Sequence, residues 1–330
     1  MLTAIIPIDL KRRSKDLIKK AITLAEVAQE NNIRTIFGHN DRCTKYDTDL
    51  INKLKKFPLT KVRSVKKTSE KINSSILRNI AFELVETDYI ILLDVDIYPD
   101  FELFTKYTKK IKNGIKPFFV LPCLYLTELG TQSLNKGKLS TIDLKKRFFS
   151  FSRKEFLHLA SPSSITILKC KDYKKIGGFN DNYCGHGYED FDFLVRLYQL
   201  HNLLQKPNDF LIDRSARAPL FAMGFRRYLG EHCLEVLIEK DMAFHLYHSK
   251  DNSESYYQAR NENYKEFVKS HNFGIDNSLN LPQTLLIPFI YLCTDKGLSV
   301  HDYAILFDNK PGHIDRFDTL RRRLKFIFSR

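Results

Sequence analysis

The sequence predicts an α/β fold built on a doubly wound, mostly parallel sheet, and three observations carry that prediction. Short apolar runs at 3–8, 33–37 and 89–93 read as buried strands. Stretches with apolar residues on one helical face alternate with them. Each run leaves into a polar loop, and in such sheets ligands bind beyond the carboxyl ends of the strands.

The first strand is followed by a polar, basic loop over 9–13. Ser14 reads as an N-cap, with Leu17, Ala21, Leu24, Ala25 and Ala28 on one face behind it. Asn31 and Asn32 close that helix, 33–37 makes the second strand and 38–41 its turn. A weaker helix is expected over 47–56. Leu77, Ile80, Ala81 and Leu84 mark another over 73–86. The strand 89–93 then runs into Asp94-Val95-Asp96. Residues 115–170 read as irregular apart from a strand at 164–168. Gly177-Gly178 is a turn, and 189–200 and 251–271 read as helices. In the last segment, 315–330, Phe317, Leu320, Leu324 and Ile327 share one side, with Arg321, Arg322, Arg323 and Lys325 crowded around them. The expected organisation is a catalytic domain over 1–270 and a helical, membrane-associating tail over 271–330. There is no internal repeat.

Composition narrows the classes. With 43% hydrophobic and 12% aromatic residues among 330, the chain supports a sizeable core, which argues against extended disorder. The net charge of +14 attracts polyanions: nucleotide diphosphates, anionic lipid surfaces, acidic polymers or nucleic acid. It does not choose among them. The six cysteines form no CxxC pair, which excludes a zinc ribbon and fits the reduced thiols of a cytoplasmic protein. The N-terminus does not read as a signal peptide. The longest apolar run, 285–293, is interrupted by Pro288 and is too short to span a bilayer.

Three constellations can carry chemistry. Asp94 and Asp96 flank one residue at the end of a buried strand. Carboxylate oxygens there suit a hard divalent cation that bridges a diphosphate, although aspartates also end strands without binding anything. Gly177-Gly178-Phe179 and Gly185-His186-Gly187-Tyr188-Glu189-Asp190 place glycines, which let backbone approach a ligand, before two acids. Adjacent acids at a helix start can divide the work of orienting a substrate and taking a proton; they also simply complement the helix dipole. In Phe244-His245-Leu246-Tyr247-His248, the two imidazoles can share an ion if the backbone turns between them. On a straight strand they point to opposite faces.

Taken in order, these motifs resemble the GT-A glycosyltransferases related to β-1,4-galactosyltransferases and to the transferase domains of bacterial chondroitin-type capsule polymerases. The resemblance runs over about residues 3–250: the Ile5-Ile6-Pro7 strand, the Leu77-Arg78-Asn79-Ile80-Ala81 helix, Asp94-Val95-Asp96, Gly177-Gly178-Phe179, Gly187-Tyr188-Glu189-Asp190, then His248. It implies the GT-A form of the fold, with insertions on the acceptor side. It also implies a Mn2+ or Mg2+ ion held by Asp96 and His248, with His245 a third ligand, and a UDP-sugar donor. Asp190 would be the base and Glu189 its acceptor-positioning neighbour. Asp41 is the candidate for the uracil, and Lys11, Arg12 and Arg13 are candidates for the diphosphate. Pro7, Arg78, Asp94, Val95 and Gly187 complete the donor site.

The implied activity is an inverting hexosyl or N-acetylhexosaminyl transfer in bacterial capsule or surface polysaccharide synthesis. The acceptor would be an oligosaccharide or a lipid-linked glycan, and the enzyme cytoplasmic, on the inner face of the plasma membrane. The chain departs from the family where sugar and acceptor lie. His186 stands in place of a tryptophan and Tyr188 in place of a second glycine, and Ser74 and Ser75 replace a basic residue for which Arg78 can compensate. Residues 214–228, with Gly224 as hinge, are a candidate lid. The competing readings are a metal-dependent phosphoesterase and a non-catalytic basic binder of membranes or nucleic acid. No nucleic-acid motif is present, and no nucleic-acid partner is expected.

Overall fold

The computed structural model describes residues 1–66, 72–249, 259–274 and 284–309. The chain divides into two compact units. One takes Met1–Val120, Ser164–Leu204 and Lys250–Phe273; the other takes Leu121–Ser163, Gln205–Ser249 and Gly274–Arg330.

The first unit begins with β1 (Leu2–Asp9), α1 (Ser14–Glu30), β2 (Arg34–Asn40), α2 (Lys45–Leu54) and β3 (Thr60–Val65). It continues through α3 (Ser74–Phe82), β4 (Tyr89–Leu92), α4 (Phe101–Lys112) and β5 (Phe119–Val120). In sequence, β6 (Cys123–Leu126), α5 (Glu128–Asn135), α6 (Thr141–Phe149) and β7 (Phe156–Ala160) come next and belong to the second unit. The chain then returns with β8 (Thr166–Lys169), α7 (Cys170–Lys175) and α8 (Glu189–Leu200). The six-stranded sheet has the order β3-β2-β1-β4-β8-β5. Strands β3, β2, β1 and β4 are parallel, and β8 is antiparallel to both its neighbours. The fold is therefore α/β with a mainly parallel central sheet, as expected. Ile5 lies opposite Ile36 on one side and Leu92 on the other. Both flanking strands thus run the same way, and the ends of β1, β2 and β4 lie at one sheet edge.

Several elements differ from the sequence reading. Arg13, not Ser14, occupies the cap of α1, in the left-handed conformation (φ 53°), while the Ser14 hydroxyl donates to the Leu10 carbonyl at 2.7 Å. Gly38 and His39, expected in a turn, lie in β2. Glycine is needed there because a Cβ would stand 1.8 Å from the Leu77 carbonyl oxygen, so α3 rests directly on the strand. Edge strand β3 was not anticipated; its exposed Lys61, Arg63 and Ser64 hide a strand pattern, and such charged edges resist pairing with other chains. The stretch expected to be irregular contains β5, β6, α5, α6 and β7, all too short for periodicity to reveal.

In the second unit a two-stranded ribbon pairs β9 (Asp213–Arg214) with β10 (Met223–Gly224), ahead of α9 (Phe225–Glu231) and α10 (Leu234–Ile238). The expected lid segment thus holds regular structure. Its Gly224 has φ 61°, and a Cβ there would meet the Ile212 carbonyl oxygen at 1.8 Å. The glycine serves a close crossing of two chain segments. Strand β11 (Ala243–His245) runs parallel to β6, and β7 antiparallel to it. The helix Leu286–Asp295 buries Phe289 and Cys293 in this unit, and the Leu285 amide donates to the Leu220 carbonyl at 2.8 Å. The amphipathic stretch read over 315–330 lies outside the described residues. No helix among the described residues is long and apolar enough to cross a membrane.

Candidate active site

Burial of an arginine organises the first unit's site. Arg78 projects from α3 and is 2% exposed. Its Nη2 donates to Asp94 Oδ1 at 2.7 Å, and its Nη1 lies 3.2 Å from Asp190 Oδ1. The guanidinium also stands 4.7 Å from the centre of the Phe179 ring, which covers one face of it. Ser164, just before β8, donates to the other oxygen of Asp94 at 3.1 Å. Glu189 and Asp190 open α8, so their carboxyls sit at a positive helix end.

That end does not cancel the cost of burying acids together. Burial and the neighbouring Asp190 push the Glu189 carboxyl up to about 8. Burial likewise raises Asp190, to about 6, against the opposing pull of Arg78. Glu189 Oε2 has no hydrogen-bond partner among the described residues. Both carboxyls are thus held above their ordinary range, and the two titrate as one pair.

The glycine motifs brace this cluster. Asn79, beside Arg78, makes four hydrogen bonds: it accepts from the Tyr173 hydroxyl (2.7 Å) and the Phe179 amide (2.9 Å), and donates to the Phe179 carbonyl (2.9 Å) and Asp181 (2.8 Å). Gly178 is required because a Cβ would stand 2.5 Å from Asn79 Oδ1. Gly187 has φ 102°, and a Cβ there would lie 2.9 Å from the Arg260 guanidinium. Its carbonyl accepts from Asn263 at 2.9 Å. These glycines admit protein side chains. Tyr188 itself takes the left-handed conformation (φ 74°) that a glycine would adopt freely. Its buried ring packs on Tyr264, Phe267 and Arg260, contacts that hold it there.

At the ends of β1 and β4 stands a second charged cluster. Asp96, 6% exposed, accepts from Arg13 (3.1 and 2.8 Å) and from Lys20 (2.6 Å). Lys11 and Arg12 occupy the same loop, and the Lys11 amide donates to Asp9 at 2.9 Å. Asp9 also accepts from both Arg42 Nε (2.7 Å) and Nη2 (2.8 Å), and from Asn40 at 2.8 Å. Asp41 accepts from the Cys43 amide at 2.9 Å, which fixes the turn after β2. Pro7 is buried in β1, beyond the last β4 partner at Ile5, where its missing N–H leaves no ladder gap on that side. Val95 is 7% exposed, a hydrophobic spacer between the acids. Lys20, Asp9, Arg42 and Ser164 escaped the sequence reading, while Asn79 and Phe179 stood in its motifs without a role. Asp9 had a signal, as an acid ending the first buried strand.

In the second unit, β11 ends at His245, so the chain turns before His248. The two rings come within 5.4 Å of each other, centre to centre. This is the turned backbone that a shared ion requires. His245 is part of a ring stack, 4.1 Å from Tyr125, which lies 4.2 Å from His158 on its other side. His248 Nδ1 lies 2.9 Å from the Ser249 carbonyl oxygen, which can only accept. Nδ1 therefore carries the proton of that bond, and Nε2 is the nitrogen that a metal would use.

A family model described as glycosyltransferase like family 2 matches residues 3–272. The chain belongs to this family. It is a glycosyltransferase, which takes the place of the phosphoesterase and non-catalytic readings. No curated protein matches the chain. Among solved structures it is similar to S. aureus TarS 1-349, with 16% identity over 60% of this chain and 55% of that one, at a TM-score of 0.38. It is also similar to the catalytic domain of Drosophila beta1,4galactosyltransferase 7 in complex with xylobiose (14% identity, 61% of each chain, TM-score 0.33). A third is the mannosyltransferase PcManGT from Pyrobaculum calidifontis in complex with GDP-Man and Mn2+ (12% identity, 60% and 52%, TM-score 0.37). This glycosyltransferase spans less than two thirds of the length of each of them.

Proposed function

We propose that the protein moves a hexosyl or N-acetylhexosaminyl group from a UDP-sugar to a saccharide acceptor, with inversion at the anomeric carbon. The observation that carries this reading is the Asp94–Arg78–Asp190 bridge with Glu189 beside it. It joins an acid of the strand-end motif to a carboxylate whose raised proton affinity suits a general base near neutral pH. Asp190 takes the proton of the acceptor hydroxyl as that oxygen attacks the anomeric carbon. The bond to the diphosphate breaks, and UDP leaves with the electron pair. Glu189, pushed toward its neutral form by burial and by Asp190, orients the acceptor.

Lys11, Arg12 and Arg13 take the diphosphate, Asp41 the uracil, and Pro7, Val95 and Gly187 line the donor. Asp96, His245 and His248 are the proposed ligands of a Mn2+ or Mg2+ ion. The fit rests on the donor set, a buried carboxylate and two imidazoles whose ring centres lie 5.4 Å apart. Imidazole is a borderline ligand, so a site with two of them favours Mn2+ over Mg2+. Such an ion, when bound, supplies charge neutralisation for the departing diphosphate.

The proposed setting is capsule or surface polysaccharide synthesis in a bacterium, with an oligosaccharide or lipid-linked acceptor at the inner face of the plasma membrane. A UDP-sugar panel read by thermal shift with Mn2+ present selects the donor. NMR of the product then reads the anomeric configuration. Retained configuration, or donor consumption at equal rates with and without acceptor, overturns the proposal.

A further inference from the structure

The helix Leu286–Asp295 is apolar on both faces. Phe289 and Cys293 point inward and are fully buried. On the opposite side Ile287 is 58% exposed, Ile290 41% and Tyr291 71%. The spacing i, i+3, i+4 puts these three on one stripe. The helix carries no charge before Asp295. A surface helix of a soluble protein ordinarily turns polar residues to water; this one turns two isoleucines and a tyrosine.

The C-terminal neighbours of this helix point to what the stripe meets. The 3₁₀ helix Val300–Phe307 packs on the same helix, its Tyr303 ring 5.4 Å and its Phe307 ring 6.0 Å from the Phe289 ring. Asp308, directly after it, is gripped by Arg153 and by the buried Arg217, the latter at 3.0 Å. The point from which residues 310–330 depart is therefore pinned beside the helix. Those residues carry seven basic side chains (Lys310, Arg316, Arg321, Arg322, Arg323, Lys325, Arg330) against Asp315 and Asp318. An exposed apolar stripe and a strongly cationic segment thus share one root.

We propose that the Ile287–Ile290–Tyr291 stripe inserts into the interfacial region of an anionic bilayer, with the basic C-terminal segment as its electrostatic partner. Stable peripheral attachment takes two signals, and an apolar face plus a polybasic segment is one such pair. Tyrosine suits the headgroup level, where its ring is apolar and its hydroxyl wet. Cations held near the surface act within a Debye length, so the attachment is salt-sensitive. This deepens the proposed membrane setting of sugar transfer by naming the element that makes contact.

Flotation of the full chain with phosphatidylcholine vesicles, with and without phosphatidylglycerol, tests it. The protein is expected to float with anionic vesicles and not with neutral ones, and added salt is expected to weaken the binding. The triple variant Ile287→Ser, Ile290→Ser, Tyr291→Ser should weaken it about tenfold or more. Replacing Arg321, Arg322 and Arg323 by Gln in the full chain should do the same. Because the stripe is solvent-exposed, the triple variant should keep the wild-type melting temperature and its transfer to a soluble acceptor. Binding unchanged in the triple variant overturns the proposal, as does a wild-type chain that floats with neither vesicle. A dimer that the triple variant converts to monomers, with no flotation, assigns the stripe to a second copy and also overturns it. Absence of sugar transfer in the wild-type chain, with flotation lost in the triple variant as expected, would strike the functional reading and leave this one standing.

Discussion

Arg78 donates to Asp94 across 2.7 Å from a guanidinium that is only 2% exposed. With Asp190 3.2 Å away and Glu189 nearby, one cation serves three acids. Removing the cation leaves those acids without compensation. Arg78→Leu is expected to cost about 3 kcal/mol, the lower end for a broken buried pair, because Asp94 and Asp190 keep some contact with water. Arg78→Lys keeps the charge, loses the two-armed reach, and should retain more stability than activity. Urea unfolding and kcat/KM of the two variants check this; equal stability of wild type and Arg78→Leu would refute it.

The carboxyl pair sets a pH dependence with a definite sign. Glu189 is raised to about 8 by burial and by Asp190. The native state therefore holds a proton that the unfolded chain has released, and stability falls as pH rises through that value. Its contribution is fully present below the ordinary glutamate range and lost above about pH 8. Glu189→Gln removes the titration. The variant should melt above wild type at alkaline pH, and the gap should close as pH falls. In activity, the interacting Asp190–Glu189 pair, with both carboxyls raised, sets the acid and alkaline limbs. Asp190→Asn should lose about 100-fold in kcat, and Glu189→Gln should flatten the alkaline limb. An alkaline limb that survives in Glu189→Gln belongs to another group.

The metal ligands are tested by titration. Asp96→Ala should abolish Mn2+-dependent donor binding, measured by calorimetry. His248→Ala should raise the Mn2+ requirement more than His245→Ala, whose ring also stacks on Tyr125. Protons compete with the cation for imidazole below about pH 6.5, so the Mn2+ requirement should rise on acidification. Equal and negligible effects of the two histidine variants return both rings to a packing role.

Much of this was legible in the sequence, and the reason is local. A buried strand running into Asp94-Val95-Asp96 shows its own pattern, as does the helix opening at Glu189 with Phe193 and Leu197 inward. What periodicity missed depends on partners remote in the chain. Asn79 is a hub only because Tyr173 and Phe179, about a hundred residues later, come back to it. Lys20 reaches Asp96 across 76 positions of sequence. Glycines were an incomplete signal. Gly178 and Gly187 read as openings for a ligand, and the atoms nearest an added Cβ there belong to Asn79 and Arg260. A sequence shows that a side chain is missing, not what fills its place.

Gly177 and Gly178 separate backbone strain from packing. Both have positive φ, 75° and 70°, so alanine at either pays the cost of the left-handed region, about 1 kcal/mol. At Gly177 a Cβ meets nothing within 4 Å. At Gly178 it meets Asn79 Oδ1 at 2.5 Å and the Tyr173 ring at 3.1 Å. Asn79 cannot yield without giving up hydrogen bonds, each worth about 1 kcal/mol, and the loop it holds carries the Phe179 ring beneath Arg78. Gly177→Ala is therefore expected to lose about 1 kcal/mol of stability and little activity. Gly178→Ala should lose about 3 kcal/mol or more and a large part of kcat, through displacement of Arg78 from Asp94 and Asp190. Asn79→Asp sets a carboxylate against that of Asp181, 2.8 Å from the present amide nitrogen, and should reproduce the Gly178→Ala loss at neutral pH. Denaturant titration and kcat for the three variants decide the matter. If Gly177→Ala and Gly178→Ala prove equally stable and equally active, the hydrogen-bonded knot around Asn79 does not hold the active-site arginine in place.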